Sequence, residues 1–208
     1  MESNPDAMRK NQTADTRKPE ILENYYQVLI EEGFEGASIG KIAKRMNIHP
    51  PLIIHYFKNK DNMTVELVDF LIEKYEAPEF LQFDHIQDVQ RRFNALMDTI
   101  FSVEWSRTID PGVHFGFYYL SLRNPKIKQR FETMFKRFRN YLVAEFEFYR
   151  QAGIVKATDL KKVADIVMTL MEGLEYHAHF LSENETFEKF ADCSKQTVVA
   201  MLKGQPLA

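Results

Sequence analysis

The chain has 208 residues, of which 45% are hydrophobic and 27% charged, with eight Gly, eight Pro and a single Cys. That length buries a core without metal or disulfide staples, and one cysteine excludes a disulfide framework and points to a reducing cytoplasm. The formal net charge of −3 offers no general attraction to nucleic acid, no apolar run is long enough for a membrane span, and the first twenty residues lack the apolar stretch of a secretion signal.

Residues 1–16 are polar and aperiodic and are expected to form a mobile tail. From Arg17 the pattern is helical: Ile21, Leu22, Tyr25, Val28 and Leu29 recur at three- and four-residue spacing, and Gly33 is placed to end the helix. Ser38 is a good N-cap for the next helix, in which Ile39, Ile42, Ala43 and Met46 share a face. Asn47 follows where the chain must turn, and asparagine tolerates the left-handed conformation. Pro50-Pro51 fit only at the start of the following short helix, which runs to Phe57 with Ile53 and Phe57 inward. Asn59 or Asp61 then caps a longer helix reaching about Tyr75, before Pro78.

Every strong segment beyond Pro78 again predicts helix. The spans are 85–102, a segment opened by Pro111 that ends near Leu122, and a long helix from Pro125 to Gln151 stopped by Gly153. Two more follow, one capped by Asp159 and one capped by Asn184 and closed by Gly204. Val, Ile and Thr never alternate long enough for a sheet. The fold class is all-α, about nine helices: an N-terminal three-helix domain and a larger helical C-terminal domain.

The stretch Ser38–Phe57 has helix-turn-helix geometry. Small Ala43 lies where the second helix must pass close, Asn47 occupies the turn, Ile48 plugs the corner and Ile53 points into the junction. The unit is too small to bury its own core, so it needs the flanking helices 17–32 and 60–76. Its use is geometric, because the major groove admits one exposed helix.

Here the sequence resembles the TetR family of bacterial transcriptional regulators. The resemblance rests on Gly33-Phe34, Ser38-Ile39-Gly40-Lys41-Ile42-Ala43, Asn47-Ile48 and His55-Tyr56-Phe57-Lys58-Asn59-Lys60-Asp61. It runs motif by motif over about residues 17–63 and continues beyond only as architecture. It implies that Ser38 and Lys41 contact phosphates and that Lys60 touches the DNA backbone. It also implies that Pro50, Pro51, Leu52, Ile54, His55 and Tyr56 form the recognition surface. By charge, Arg17 is a further phosphate contact. The family often has a small residue at 51, Ser or Thr at 52 and Tyr at 54, whereas this chain has Pro51, Leu52 and Ile54. Only His49 and His55 remain as polar readers of base edges. Apolar contact with thymine methyls and shape readout are therefore expected.

The charge divides by segment. Residues 1–63 hold nine basic and nine acidic residues and only two of the 17 Phe. The remainder is the acidic, aromatic part, assigned as residues 64–208 to effector binding and dimerisation. Phe101, Trp105, His114, Phe117, Tyr118, Met134, Phe138, Tyr141, Met171 and Glu175 are the candidates for lining a cavity that takes a small, largely apolar or aromatic effector. Core or dimer packing is the competing reading for each of them. Glu175 and His179 lie four apart on one helix face, but two side chains without a third ligand make an ion pair more often than a metal site. No metal and no cofactor are assigned. Helices at about 159–181 and 184–203 carry apolar residues on more than one face and are expected to form a homodimeric four-helix bundle.

The expected function is a dimeric, ligand-responsive repressor of a palindromic double-stranded DNA operator, soluble in the cytoplasm and without membrane contact. In that scheme the effector displaces helix 60–76 and changes the separation of the recognition helices. The alternative is an all-α enzyme or ligand-binding protein that uses the aromatic cavity without specific DNA binding. Against an enzyme, the sequence has no HExxH, nucleophile elbow, glycine-rich phosphate loop or convincing carboxylate pair.

Overall fold

A computed structural model describes residues 14–75, 81–181 and 186–205. Among these residues there are ten helices and no strand: α1 (Ala14–Gly36), α2 (Ile39–Met46), α3 (Pro50–Phe57), α4 (Lys60–Tyr75), α5 (Val89–Ile100), α6 (Val103–Ser106), α7 (Pro111–Ser121), α8 (Pro125–Gln151), α9 (Leu160–Leu181) and α10 (Phe187–Lys203). The helix beyond the nine expected is α6, a single turn capped by the Ser102 hydroxyl, which accepts from the Trp105 amide at 3.0 Å. No helix among the described residues is long and apolar enough to cross a membrane.

The chain forms two compact units. The first comprises residues up to Lys74 together with Gly112–Arg130, and the second comprises Tyr75–Pro111 with Phe131–Ala208. The helix-turn-helix part is therefore compact with more chain than the 17–63 segment read from sequence, because it takes in most of α4, α7 and the first turns of α8.

Local rules explain the first unit well. Alpha-helix α1 starts at Ala14, inside the span expected to be tail, and its ordered course is broken at Gly33, where φ is 68°. Only glycine takes that backbone without a Cβ clash, so the chain turns there toward α2. The Ser38 hydroxyl caps α2 by accepting from the Lys41 amide at 3.3 Å. Asn47 closes α2 in the left-handed conformation, with φ 51° and ψ 50°. Of the two capping candidates for α4, Asn59 does the work: its Oδ1 accepts from the Asn62 amide at 2.8 Å.

Ile21, Tyr25, Ile42, Ile53, Phe57, Met63 and Leu67 are almost wholly buried and form the centre of this unit. Each such aliphatic or aromatic side chain contributes roughly 1.5–3 kcal/mol through burial. One polar line crosses the packing. Thr64 donates to the Lys60 carbonyl at 2.9 Å, so its only hydroxyl proton is committed and the Tyr25 hydroxyl donates to Thr64 Oγ1 at 2.8 Å.

The second unit is built on α5, the rest of α8, α9 and α10. Phe93, Leu96, Met97, Leu142, Phe146, Val167, Val198 and Leu202 are at its centre. Its first helix begins at Val89, capped by Asp88, later than the periodicity from Ile86 suggested. The expected Asn184 cap lies outside the described residues; α10 begins after Thr186 and closes on Gly204, whose φ is 64°. A charged network runs from the interior to the surface. Arg92 reaches Glu145 at 2.6 Å and Asp84 at 2.7 Å, and Tyr149 donates to Glu145 at 2.6 Å. The hydrogen bond to Glu145 pushes the Arg92 guanidinium further up, and burial pushes the Tyr149 hydroxyl up.

Candidate nucleic-acid interface

The recognition surface follows from the register of α3. Ile53 and Phe57 turn inward, leaving Pro50, Pro51, Ile54 and His55 exposed and Leu52 and Tyr56 half-exposed. Ile54 is 47% exposed, unusual for an isoleucine on a helix whose partners are packed. His49 precedes the helix as its N-cap but makes no side-chain capping bond, so its imidazole stays available for an outside partner. The His55 and Tyr56 rings meet edge to face at 5.4 Å. This arrangement brings all seven expected groups between His49 and Tyr56 onto a solvent-facing helix and its approach, with Ile53 turned inward as expected.

The bases around α3 are in different states. Lys44 and Lys58 are exposed. Lys41, also exposed, is ion-paired with Glu32 of α1. Arg45 holds both carboxylate oxygens of Glu31 at 2.8 Å. Ser38 uses its hydroxyl oxygen as acceptor for the α2 cap, which leaves its proton free to donate to a phosphate.

Two expected phosphate contacts are engaged elsewhere. Lys60 donates to the carbonyls of Phe34 and Ala37, both at 2.6 Å, so two of its three protons hold the corner between α1 and α2. Arg17 is 7% exposed and pairs with Glu20 at 2.6 Å. A phosphate contact by Arg17 would require its release from that pair. The partners of Lys60 are 26 and 23 residues away, beyond the reach of patterning, whereas Glu20 stands three residues from Arg17 at an ordinary helical ion-pair spacing.

The candidates for ligand contact fall into two groups. In the second unit, Trp105 stacks on Phe138 with ring centroids 5.6 Å apart, and Phe138 stacks on Tyr141 at 6.4 Å. All three rings are half-buried. The Tyr141 hydroxyl donates to the Leu81 carbonyl at 3.0 Å, and burial pushes that hydroxyl up. Glu175 accepts from the Ser106 hydroxyl and from Arg107 Nε at 3.1 Å, which ties it to the turn bearing Trp105. Ser106 and Arg107 were absent from the sequence expectation, although their neighbouring aromatic was in it. Met134 and Met171 are half-buried in the same unit. Phe101, by contrast, is 5% exposed within the core of that unit and serves packing.

The remaining three candidates, His114, Phe117 and Tyr118, lie on α7 in the first unit. Phe117 is buried edge to face against Phe34 at 5.2 Å, a core contact. His114 rests against Phe115 at 5.5 Å, and Tyr118 is exposed. Among the described residues, no group of three or more His, Cys, Asp or Glu side chains is placed to hold a metal ion.

Two family models match the chain: residues 21–67 match the bacterial regulatory proteins of the tetR family, and residues 88–204 match the tetracyclin repressor-like C-terminal domain. The HTH-type transcriptional regulator BetI of Yersinia pestis (strain Pestoides F) is 23% identical over 133 residues, covering 63% of this chain and 67% of that protein. BetI of Burkholderia lata is 21% identical over 159 residues, 76% of this chain and 79% of that one. Among solved structures, a transcriptional regulator from Saccharomonospora viridis in complex with choline superposes with a TM-score of 0.77 at 16% identity, over 89% of this chain and 96% of that chain. A TetR transcription regulator from Haloarcula marismortui superposes with a TM-score of 0.76 at 18% identity, over 92% and 98%. The chain belongs to the TetR family of bacterial regulatory proteins, and it is a ligand-responsive, DNA-binding transcriptional regulator, not an enzyme.

Proposed function

We propose that this regulator represses transcription as a two-fold dimer seated on a palindromic operator and released by a small ligand. The observation that carries the DNA side is the exposed face of α3, with Ile54 47% exposed and the His49 side chain at its start not used for capping. Pro51, Leu52 and Ile54 read thymine methyls and groove shape, and His49 and His55 add the few polar contacts. Ser38, Lys41 and Tyr56 fix the register on phosphates, helped by the exposed Lys44 and Lys58 and by the third proton of Lys60.

On the ligand side, the Trp105–Phe138–Tyr141 stack beside the Glu175 carboxylate suits a compact cation clothed in apolar groups. A quaternary ammonium has that chemistry: its methyls pack on ring faces while its charge is drawn to the ring quadrupoles. The choline held by the Saccharomonospora viridis regulator, which shares this fold, supports the class. The effector is thus largely apolar in surface and cationic in charge.

Dimerisation is assigned to α9 and α10. Val163, Val167, Val198 and Leu202 are spent on the core of their own unit. Ile166, Leu170, Val199 and Met201 stay half-exposed, and Tyr176 and Phe180 are exposed on the same pair of helices. A partner's α9 and α10 would complete a four-helix bundle and set two α3 helices about 34–36 Å apart, one turn of DNA. Ligand binding then acts by favouring a dimer in which α4 holds the two α3 helices at a different separation.

Trp105 is the only tryptophan, so its fluorescence reports on the stack directly. Choline is titrated into the full chain while Trp105 emission and the anisotropy of a labelled operator duplex are followed together. The duplex is one enriched by the wild-type protein from a random-sequence pool. The expected result is a saturable emission change with parallel loss of DNA affinity. An emission change with unaltered operator affinity would refute the switch. Unchanged emission at millimolar choline would refute the quaternary-ammonium assignment.

A further inference from the structure

We propose that Phe34 and Gly116 form a joint through which α7 sets the position of the helix-turn-helix, on the reading that this unit binds DNA under ligand control. Three observations carry it. The Phe34 ring lies so close over Gly116 that a Cβ there would overlap the ring deeply, and the same ring packs edge to face on Phe117 at 5.2 Å. Gly116 lies inside α7, where glycine weakens a helix, so its presence serves the approach of the ring and not the helix.

The second observation is what Phe34 is attached to. It stands one residue beyond the Gly33 break, at the start of the corner that ends at Ser38, the cap of α2. The Lys60 ammonium grips this corner by the carbonyls of Phe34 and Ala37, both at 2.6 Å. The Ala37 amide also donates to the Gly33 carbonyl at 3.1 Å, which closes the turn on itself. The corner is therefore held by α4 on its backbone and by α7 on its side chain. Displacing the ring moves the carbonyls that Lys60 holds and the residue that starts α2.

Chain connectivity supplies the third. The chain leaves the second unit after Pro111, contributes α7 and the first turns of α8 to the helix-turn-helix unit, and returns at Phe131. The return is made inside one unbroken helix, Pro125–Gln151, which also carries Phe138 and Tyr141 of the aromatic stack. A rearrangement at that stack is thus joined to α7 through the backbone of α8 and a short connection. Phe34 and Gly116 are positioning residues: neither belongs to the exposed face of α3.

The test is a four-protein cycle of wild type, Gly116→Ala, Phe34→Ala and the double variant, each confirmed as folded by circular dichroism. Affinity is measured for the duplex that the wild-type protein enriches from a random-sequence pool. Gly116→Ala is expected to change operator affinity at least fivefold, and the same substitution made on Phe34→Ala less than twofold, because the ring it displaces is gone. Equal effects of Gly116→Ala in both backgrounds, or wild-type affinity in folded Gly116→Ala, overturn the joint. Should Gly116→Ala not fold, Phe34→Ala decides alone. A fivefold or greater change in a folded protein supports the joint, and wild-type affinity overturns it. If the wild-type protein enriches no sequence, the regulator reading fails; if it enriches one and the cycle is additive, only the joint fails.

Discussion

Replacing Glu32 by Gln should steepen the salt dependence of DNA binding. Lys41 and Glu32 are ion-paired with side chains 47% and 37% exposed. An exposed pair of this kind contributes no more than about 0.2–1 kcal/mol to stability, so the fold tolerates its loss. The consequence for binding is larger. While Lys41 stays with Glu32 it neutralises no phosphate and releases no condensed cation from the DNA. With Gln at 32 it is free to do so, and the slope of log K against log salt becomes more negative by up to about 0.9 per protomer. Between about 50 and 200 mM salt that is an additional loss of about 3.5-fold per protomer, or about twelvefold for a two-fold dimer. Fluorescence anisotropy on the enriched operator duplex at four or five salt concentrations measures it. Glu31→Gln is the control: it frees Arg45, which is not among the proposed phosphate contacts, and should leave the slope unchanged. Parallel lines for wild type and Glu32→Gln would refute the assignment of Lys41 to a phosphate. Equal steepening by both variants would show only a generic charge effect.

Two further outcomes concern stability. Burial pushes the Tyr25 hydroxyl up from 10.0 to about 12. The folded state therefore holds this proton more tightly than the unfolded chain. The stabilisation is complete below about pH 10 and is lost as pH rises through about 12, a change of about 3 kcal/mol. Urea melts of Tyr25→Phe should show a shallower alkaline fall than wild type, with a cost near neutrality of about 1 kcal/mol; identical pH slopes would contradict the burial argument. In the second unit, Glu145→Ala removes the buried carboxylate partner of Arg92, whose side chain is 16% exposed, leaving the outer Asp84 as its acidic partner, and deprives Tyr149 of its acceptor. The expected loss is about 3 kcal/mol or more, with Glu145→Gln recovering part of it through the Tyr149 bond. A change under about 1 kcal/mol in thermal melts of Glu145→Ala would show that the network is not needed.

What could be read from sequence was what short-range chemistry controls. Ser38, Asn47 and Pro50 announce the ends of α2 and α3 because capping, left-handed turns and the missing proline donor act within three or four residues. Periodicity places Ile53 and Phe57 inward, and the recognition residues that the family resemblance implies occupy the remaining face. What periodicity could not show was packing between distant segments. The Lys60 ammonium holds carbonyls 26 and 23 residues away, which leaves one proton for a phosphate. Phe117 looked like a ligand wall, yet its ring meets Phe34. Phe101 is core for the same reason. The false start of α5 at 85 came from counting Ile86 in the apolar pattern, when Asp88 was the stronger signal because its carboxylate accepts from the Arg91 amide at 2.8 Å.

The charge balance acquires a different meaning once the pairs are placed. A net charge of −3 suggested weak attraction to DNA. The acids of α1 do more than dilute the positive charge, because Glu31 and Glu32 are bound to Arg45 and Lys41 on α2. Non-specific DNA offers only phosphates, so it must displace these carboxylates without further reward. A matching operator also offers thymine methyls and groove shape to Leu52 and Ile54, and apolar contact is not screened by salt. Raising the salt should therefore weaken non-specific binding about as much as specific binding in its phosphate part, while the apolar part persists. On the proposed mode of binding, discrimination rests on the uncharged face of α3, and the acidic partners of the α2 bases keep the phosphate contribution from overwhelming that choice.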